Sequence, residues 1–257
     1  MTRNWRSKVT AVATAVLVAI GTGGFVVKSH LSEDRDREPA AEVLASVMDQ
    51  RVSDDRYEDL LSELETALDL KGADTVQIRA MVLAQLGHES GGLRWQRELA
   101  DGSAYEGRAW DLGNYFPGDG QRFVGRDFIQ VTGRANYARL SAWAYARGLV
   151  PTATFFVDNP AALATDRYAF LGVVWYWTTK RFGGKTLNEL AQAGDIERVS
   201  RAINGTNERT GRANGIEDRI EFYRRALAAG EALLDLAPEP GSVTAPLQAD
   251  SPSRAGW

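Results

Sequence analysis

The chain has 257 residues, a net charge of −4, a pI near 5.4, 44% hydrophobic and 25% charged residues. This is the composition of a folded protein with a sizeable core and no broad basic footprint, so nucleic acid is not an expected partner. There is no cysteine and there are only two histidines, His30 and His88. That excludes disulfides, thiol nucleophiles and a histidine-rich metal site, and it leaves carboxylates to carry any catalysis without metal or cofactor.

In chain order, residues 1–28 read as a signal anchor. Arg3, Arg6 and Lys8 precede an uncharged run from Val9 to Val27 that is closed by Lys28. Roughly 19 residues suffice to cross a bilayer as a helix. The flanking basic residues predict a cytoplasmic N-terminus and an exported body in an inner-membrane, single-pass arrangement with that body on the periplasmic side. A secreted form after signal cleavage is the alternative, although no Ala-x-Ala site follows. The run is diluted by Ala11, Ala13, Ala15, Ala19, Gly21, Gly23 and Gly24. Such dilution fits either small-residue helix packing or a segment marginal enough to leave the membrane later.

Residues 29–39 are charged and aperiodic, a linker. Residues 40–236 read as one folded domain, and the Pro-, Ser- and Ala-rich residues 237–257 read as a disordered tail. The domain is expected to be mainly α, with few short strands. Leu60, Leu61, Leu64 and Leu68 recur at helical spacing within 54–70, Gly72 stops that helix, and Asp74 or Thr75 caps the next. Ile78, Met81, Val82 and Leu86 then form one apolar face leading to His88-Glu89. Residues 91–125 lack period and predict a long functional loop. Further helices are expected over 135–147, from Asn159-Pro160 through Leu163, Phe170 and Val174 to about 179, from the Thr186/Glu189 capping box, from Asp195 to Ile203, and along a face of Ile216, Ile220, Tyr223 and Leu227. Trp175 and Trp177 are expected in the core.

Two acids flank the glycine break after the second helix. Glu89 sits at the end of an apolar-faced helix, a setting that suits a proton donor, although a solvated helix-end acid is the plainer alternative. Glu98 lies nine residues on, and Glu106 rivals it for the role of base. Either acid alternatively just pairs with Arg94, Arg97 or Arg108. Inverting hydrolysis of a glycosidic bond needs such a pair, one acid protonating the leaving oxygen and one activating water. His88-Glu89 does not make a zincin helix, because Gly92 occupies the position of the second histidine. The run Gly125–Tyr137 mixes Phe128, Ile129 and Val131 with Gln130, Thr132 and Asn136. It reads either as a short strand or as a row of hydrogen-bonding groups for sugar hydroxyls or the attacking water. Trp95, Trp110 and Tyr105 are candidates for stacking on sugar rings.

The ordered motifs His88-Glu89-Ser90-Gly91-Gly92, Ala104-Tyr105-Glu106-Gly107-Arg108, Leu112-Gly113-Asn114, Pro117-Gly118-Asp119-Gly120 and Gly125-Arg126…Ile129-Gln130-Val131-Thr132-Gly133-Arg134-Ala135-Asn136-Tyr137 resemble glycoside hydrolase family 19, the family of chitinases and phage endolysins. Ala202-Ile203-Asn204-Gly205 and Asp218-Arg219-Ile220…Tyr223-Arg224-Arg225 resemble its later motifs. The resemblance covers roughly residues 75–228. It implies a lysozyme-like helical fold and an inverting mechanism. By position Glu89 is then the general acid and Glu98 the base as spaced in the endolysin branch. Thr132 helps hold the water, and Gln130, Asn136, Asn204 and Arg219 bind sugar or support the acids. The family's Gly-Arg-Gly is here Gly125-Arg126-Asp127, which puts an extra carboxylate beside the cleft. The resulting expectation is a monomeric muramidase-type endolysin that cleaves β-1,4 bonds of peptidoglycan, of the kind released from its membrane anchor. Alternatives are a secreted chitinase and a non-catalytic, anchored glycan-binding protein.

Overall fold

The structure, a computed structural model, describes residues 39–237. The anchor, the linker up to residue 38 and the tail from residue 238 lie outside the described residues. No helix among the described residues is long and apolar enough to cross a membrane.

The domain is mainly helical: α1 (Ala40–Val47), α2 (Asp54–Leu70), α3 (Val76–Ser90), α4 (Ala109–Leu112), α5 (Asp119–Arg122), α6 (Arg134–Tyr145), α7 (Phe155–Asp158), α8 (Leu171–Thr179), α9 (Leu187–Gln192), α10 (Ile196–Asn204) and α11 (Ile216–Ala229). The one sheet among the described residues is a hairpin of β1 (Arg181–Phe182) and β2 (Lys185–Thr186), paired Arg181 with Thr186 and Phe182 with Lys185. The expected caps are present. Thr75 Oγ1 accepts the Ile78 N–H, Thr186 and Glu189 form a capping box, and Asp195 caps α10.

Helix α3 is central to the C-terminal half of the core, packing on α11, α9 and the turn Gly230–Leu234. The sequence predicted one apolar face, yet Ala80, Leu83 and Ala84 are buried as well as Met81, Val82 and Leu86. A helix buried on nearly all sides belongs in the middle of a core. Helix α11 runs against it, so closely that a Cβ on Gly87 would overlap the Phe222 ring. Helix α3 ends where Gly91 takes the left-handed conformation (φ 62°), which turns the chain immediately beyond Glu89.

Two expected helices differ. The segment from Asn159 is not one helix: Pro160–Ala164 and Asp166–Tyr168 are 3-10 turns, broken by extended Thr165, and the α-helix starts only at Leu171. Tertiary polar contacts override the local pattern there. Asp166 receives two hydrogen bonds from Arg56 (2.6 and 2.7 Å) and one from Gln96 (2.6 Å), while Asn159 donates back to the Phe155 carbonyl instead of capping. On α11 the buried face is Ile216, Arg219, Phe222, Tyr223 and Ala226, and Leu227 is exposed. The run Phe128–Thr132 is not a strand. Arg126 and Val131 bridge each other and close a tight loop over 127–130.

Glu63 and Lys71, at the two ends of the last turns of α2, are buried, and Glu63 Oε2 and Lys71 Nζ have no hydrogen-bond partner among the described residues. Burial pushes the Glu63 carboxyl up to about 7 and the Lys71 ammonium down to about 7. Between the ordinary carboxyl range and pH 7 the native state holds the extra proton on Glu63, so stability falls as pH rises through that window. Between pH 7 and the ordinary lysine range the unfolded chain holds the extra proton, so stability recovers as pH rises further. The two groups together predict a dip in the urea midpoint near pH 7. Lys71→Met should remove the alkaline recovery and raise stability by about 1–3 kcal/mol. A midpoint unaltered by Lys71→Met would contradict this.

Candidate active site

Glu89, in the last turn of α3, faces α11. Its Oε1 accepts a hydrogen bond from Arg219 Nη2, and the Arg219 side chain is wholly buried while that of Glu89 is 14% exposed. Arg219 Nη1 donates to Gln85 Oε1 (2.6 Å) and Nε to the Asn214 carbonyl (3.2 Å). Gln85 lies one turn before Glu89, so two residues of one α3 face are fixed by one guanidinium. The expected purely aliphatic setting of Glu89 is therefore half right: its own helix is apolar, but the partner helix brings a buried cation. His88 and Asp218 repeat the pairing one residue earlier on each helix, with Nδ1 2.7 Å from Oδ2. Asn214 Nδ2 donates to the Asn204 carbonyl (2.7 Å), which links the exposed end of α10 to the same cluster.

Glu98 is held from the other side of the break. Its N–H donates to the Gly125 carbonyl (2.9 Å), its Oε2 accepts from the Gly125 N–H (3.2 Å), and its Oε1 accepts from the Tyr105 hydroxyl (2.8 Å). Burial, then Glu98 itself, holds the Tyr105 phenol above its ordinary range, so it stays a donor. Tyr105 thus positions a carboxylate rather than presenting itself simply as a stacking ring.

Three oxygens converge beside Gly125, where no side chain stands. A Cβ there would lie 2.7 Å from Gln130 Oε1, 3.1 Å from Glu98 Oε2 and 3.2 Å from Thr132 Oγ1. Gln130 reaches this place because its backbone is left-handed (φ 58°) and its Nε2 is tied to the carbonyls of Trp95 and Asp127, both at 3.1 Å. Thr132 Oγ1 donates to the Gln130 carbonyl (2.9 Å), and Asn136 Nδ2 donates to the Thr132 carbonyl (2.8 Å). Asn136 therefore props the loop that carries Thr132.

Glu106 is occupied elsewhere. Its two oxygens accept the Gly118 N–H (2.7 Å) and the Gly120 N–H (2.9 Å), closing the loop at the start of α5. Between the two rivals for the base, Glu98 faces the polar cluster and Glu106 staples a turn. Glu98→Gln should lower kcat by about 10²-fold or more, while Glu106→Gln should cost about 1–2 kcal/mol of stability and spare kcat to within tenfold. A larger kcat loss in Glu106→Gln than in Glu98→Gln would reverse the assignment.

Asp127 corrects its expectation. It does not lie beside the cleft but is wholly buried, with Oδ1 accepting the Ile129 N–H (2.6 Å) and Oδ2 the Gly172 N–H (2.7 Å). Its φ is 60°, a conformation glycine adopts freely, which explains why a chain with Asp here keeps the turn only by giving the side chain a local job. The carboxylate fastens the 127–130 loop to the N-terminus of α8, where a Cβ on Gly172 would collide with it. Burial pushes its protonation well above the ordinary carboxyl range.

No family model matches the chain. Its sequence is 28% identical over 200 residues to a glycosyl hydrolase family 19 domain-containing protein of Haemophilus influenzae, covering 65% of this chain and 86% of that one. The chain is a family-19-like glycoside hydrolase. The hydrolase is also 31% identical over 122 residues to an acidic 27 kDa endochitinase of Solanum lycopersicum, 41% of this chain and 46% of that one. In fold it is similar to chitinase C from Streptomyces griseus (TM-score 0.54, 21% identity, 78% of each chain). It is similar as well to a bacterial family 19 chitinase (TM-score 0.50, 24% identity, 77% of this chain and 95% of that one).

Of the residues singled out in the hydrolase sequence, the fold brings Glu98, Gln130 and Thr132 around one spot, with Asn136 directly behind. It pairs Glu89 with Arg219 and leaves Asn204 attached through Asn214. Trp175 and Trp177 are in the core, and Trp110 is exposed. Sequence reading missed Gln85 and Asn214, which hold Arg219, and Tyr176. Burial, then the charges of Asp127 and Glu89, holds the Tyr176 phenol above its ordinary range. The only sequence signal for Gln85 is its position one turn before Glu89 on an otherwise apolar face.

Proposed function

We propose that the chain is an endolysin that hydrolyses the β-1,4 bonds of peptidoglycan with inversion. Glu89 protonates the leaving oxygen, and Glu98 takes a proton from a water held by Thr132 and Gln130. The observation that carries this reading is the convergence of Glu98, Thr132 and Gln130 beside Gly125, across the glycine break from an acid whose orientation is fixed by Arg219. Arg219 holds one oxygen of Glu89, so the other is the one that meets the bond to be cut. Asn136, through Thr132, keeps the water site in register, and Asn204 adds a contact to the sugar from the end of α10.

Peptidoglycan is favoured by the front of the chain. A basic start and a weakly apolar run suit an exported, membrane-held enzyme whose polymer lies next to the membrane, with release of the marginal segment on depolarisation as its activation. The second reading, a chitinase, rests on the names carried by the tomato and Streptomyces relatives. Release of reducing ends by the full chain from peptidoglycan and from chitin oligomers separates the two. Faster turnover on peptidoglycan supports the proposal, and turnover on chitin oligomers alone would overturn it. Depolarising cells that express the full chain tests the anchor: lysis with release of uncleaved protein is expected, and persistent membrane association would contradict it.

A further inference from the structure

Three large aromatic side chains stand out from the segment between Glu98 and Gly125: Trp110 is 89% exposed, Tyr115 69% and Phe116 61%. Clustered exposed apolar surface of this size marks an interaction site more often than it marks an accident of packing. The loop is firmly mounted. Leu112 packs on Gly133, and the wholly buried Asn114 accepts the Arg134 N–H (2.9 Å) and donates to the Tyr105 carbonyl (2.9 Å). Asn114 therefore joins the aromatic loop both to Tyr105, which holds Glu98, and to the segment just after Thr132. The segment that carries the patch is thus fastened to both flanks of the Glu98 cluster.

Behind Phe116 lies an open pocket of about 480 Å³, lined among others by Phe116, Pro117, Asp119, Arg122, Arg134 and Asp158. Its formal charges balance, Asp119 and Asp158 against Arg122 and Arg134. Arg134 pairs with Asp119 through two hydrogen bonds (2.5 and 2.8 Å) while lying over the Phe116 ring at 5.0 Å. Arg122 donates to the carbonyls of Val157 (2.9 Å) and Asp158 (3.2 Å). Arg108, at the base of the same loop, pairs with Asp111. A surface for anionic lipid needs a surplus of Lys and Arg over Asp and Glu, which this one lacks. Aromatic faces beside a polar, charge-balanced pocket suit a neutral, polyhydroxylated ring whose apolar face stacks and whose hydroxyls hydrogen-bond.

We propose that Trp110, Tyr115 and Phe116, with the pocket behind Phe116, hold the glycan strand several sugars away from the bond being cut, so that this loop sets the preference for long polymer over short chains. The proposal rests on the glycosidase reading of the Glu89/Glu98 site. It is tested on the full chain with Trp110→Ala and with the double variant Tyr115→Ala/Phe116→Ala, against Leu70→Ala as a control that removes another exposed apolar side chain. Each loop variant should lose about tenfold more kcat/KM on insoluble peptidoglycan than on soluble four-sugar fragments of it, mainly through KM. Equal losses on the two substrates, or none on the polymer, would overturn the proposal. Co-sedimentation with insoluble peptidoglycan, which needs no turnover, is read alongside. If the unsubstituted chain sediments without hydrolysing anything and the variants do not sediment, the glycosidase reading fails while the glycan surface stands. If instead the unsubstituted chain is captured by phosphatidylglycerol vesicles and the loop variants are not, the occupant is a membrane and the proposal fails.

Discussion

Glu89→Gln is expected to lower kcat on glycan by about 10²–10⁴-fold with KM little altered, because the amide cannot deliver a proton to the leaving oxygen. The variant should still fold, with a lower melting temperature because the buried Arg219 loses its counter-charge. Arg219 Nη2 keeps an oxygen acceptor at the same place, and its other bonds to Gln85 and the Asn214 carbonyl are untouched. Steady-state kinetics together with a thermal melt make the check. Activity retained to within tenfold in a folded Glu89→Gln protein would remove Glu89 from the role of acid.

Arg219→Ala should be damaging for a different reason. The guanidinium is wholly buried and serves Glu89, Gln85 and the Asn214 carbonyl at once. Taking away one member of a buried ion pair leaves the other desolvated and uncompensated, a loss of about 3–5 kcal/mol. The variant should therefore show a lower denaturant midpoint, and at temperatures where it stays folded its kcat should fall too, since Glu89 is no longer oriented. Arg219→Lys should recover part of the stability but little of the rate, because an ammonium cannot bond Glu89 and Gln85 in the same fork. Full activity in Arg219→Lys would show that charge, not orientation, is what Glu89 needs.

Much of the fold was legible in local patterns. The leucine spacing of α2, the Thr75 and Asp195 caps, the Thr186/Glu189 box and the glycine stop after Glu89 are all short-range signals, and each is where the sequence places it. What failed was set at long range. The stretch from Asn159 carries a good helix start, but Arg56 and Gln96, far away in sequence, take hold of Asp166 and break it. On α11 the periodicity of Ile220 and Leu227 suggested an apolar face, whereas the site turns the helix so that Arg219 faces inward. A buried arginine is invisible to hydrophobic spacing, since its cost is met only by partners on another helix.

The site was legible as a set of residue types but not as a division of labour. Glu98 and Glu106 are equivalent in the sequence, and only the backbone amides of Gly118 and Gly120 distinguish the one that is engaged in a turn. Asp127 read as an addition to the cleft because its neighbours are cleft residues. Its left-handed backbone instead directs the carboxylate to the amides of Ile129 and Gly172, inside the core.

The central claim, an acid at Glu89 acting with a water-activating base at Glu98, meets its most direct test in the configuration of the first product. Proton NMR of the sugar released from a β-1,4-linked glycan, recorded before mutarotation, reads the anomeric hydrogen of the new reducing end. Attack by a water held at Glu98, Thr132 and Gln130 predicts the α-anomer as the initial product. An initial β-anomer would mean a covalent or substrate-assisted route and would contradict the account.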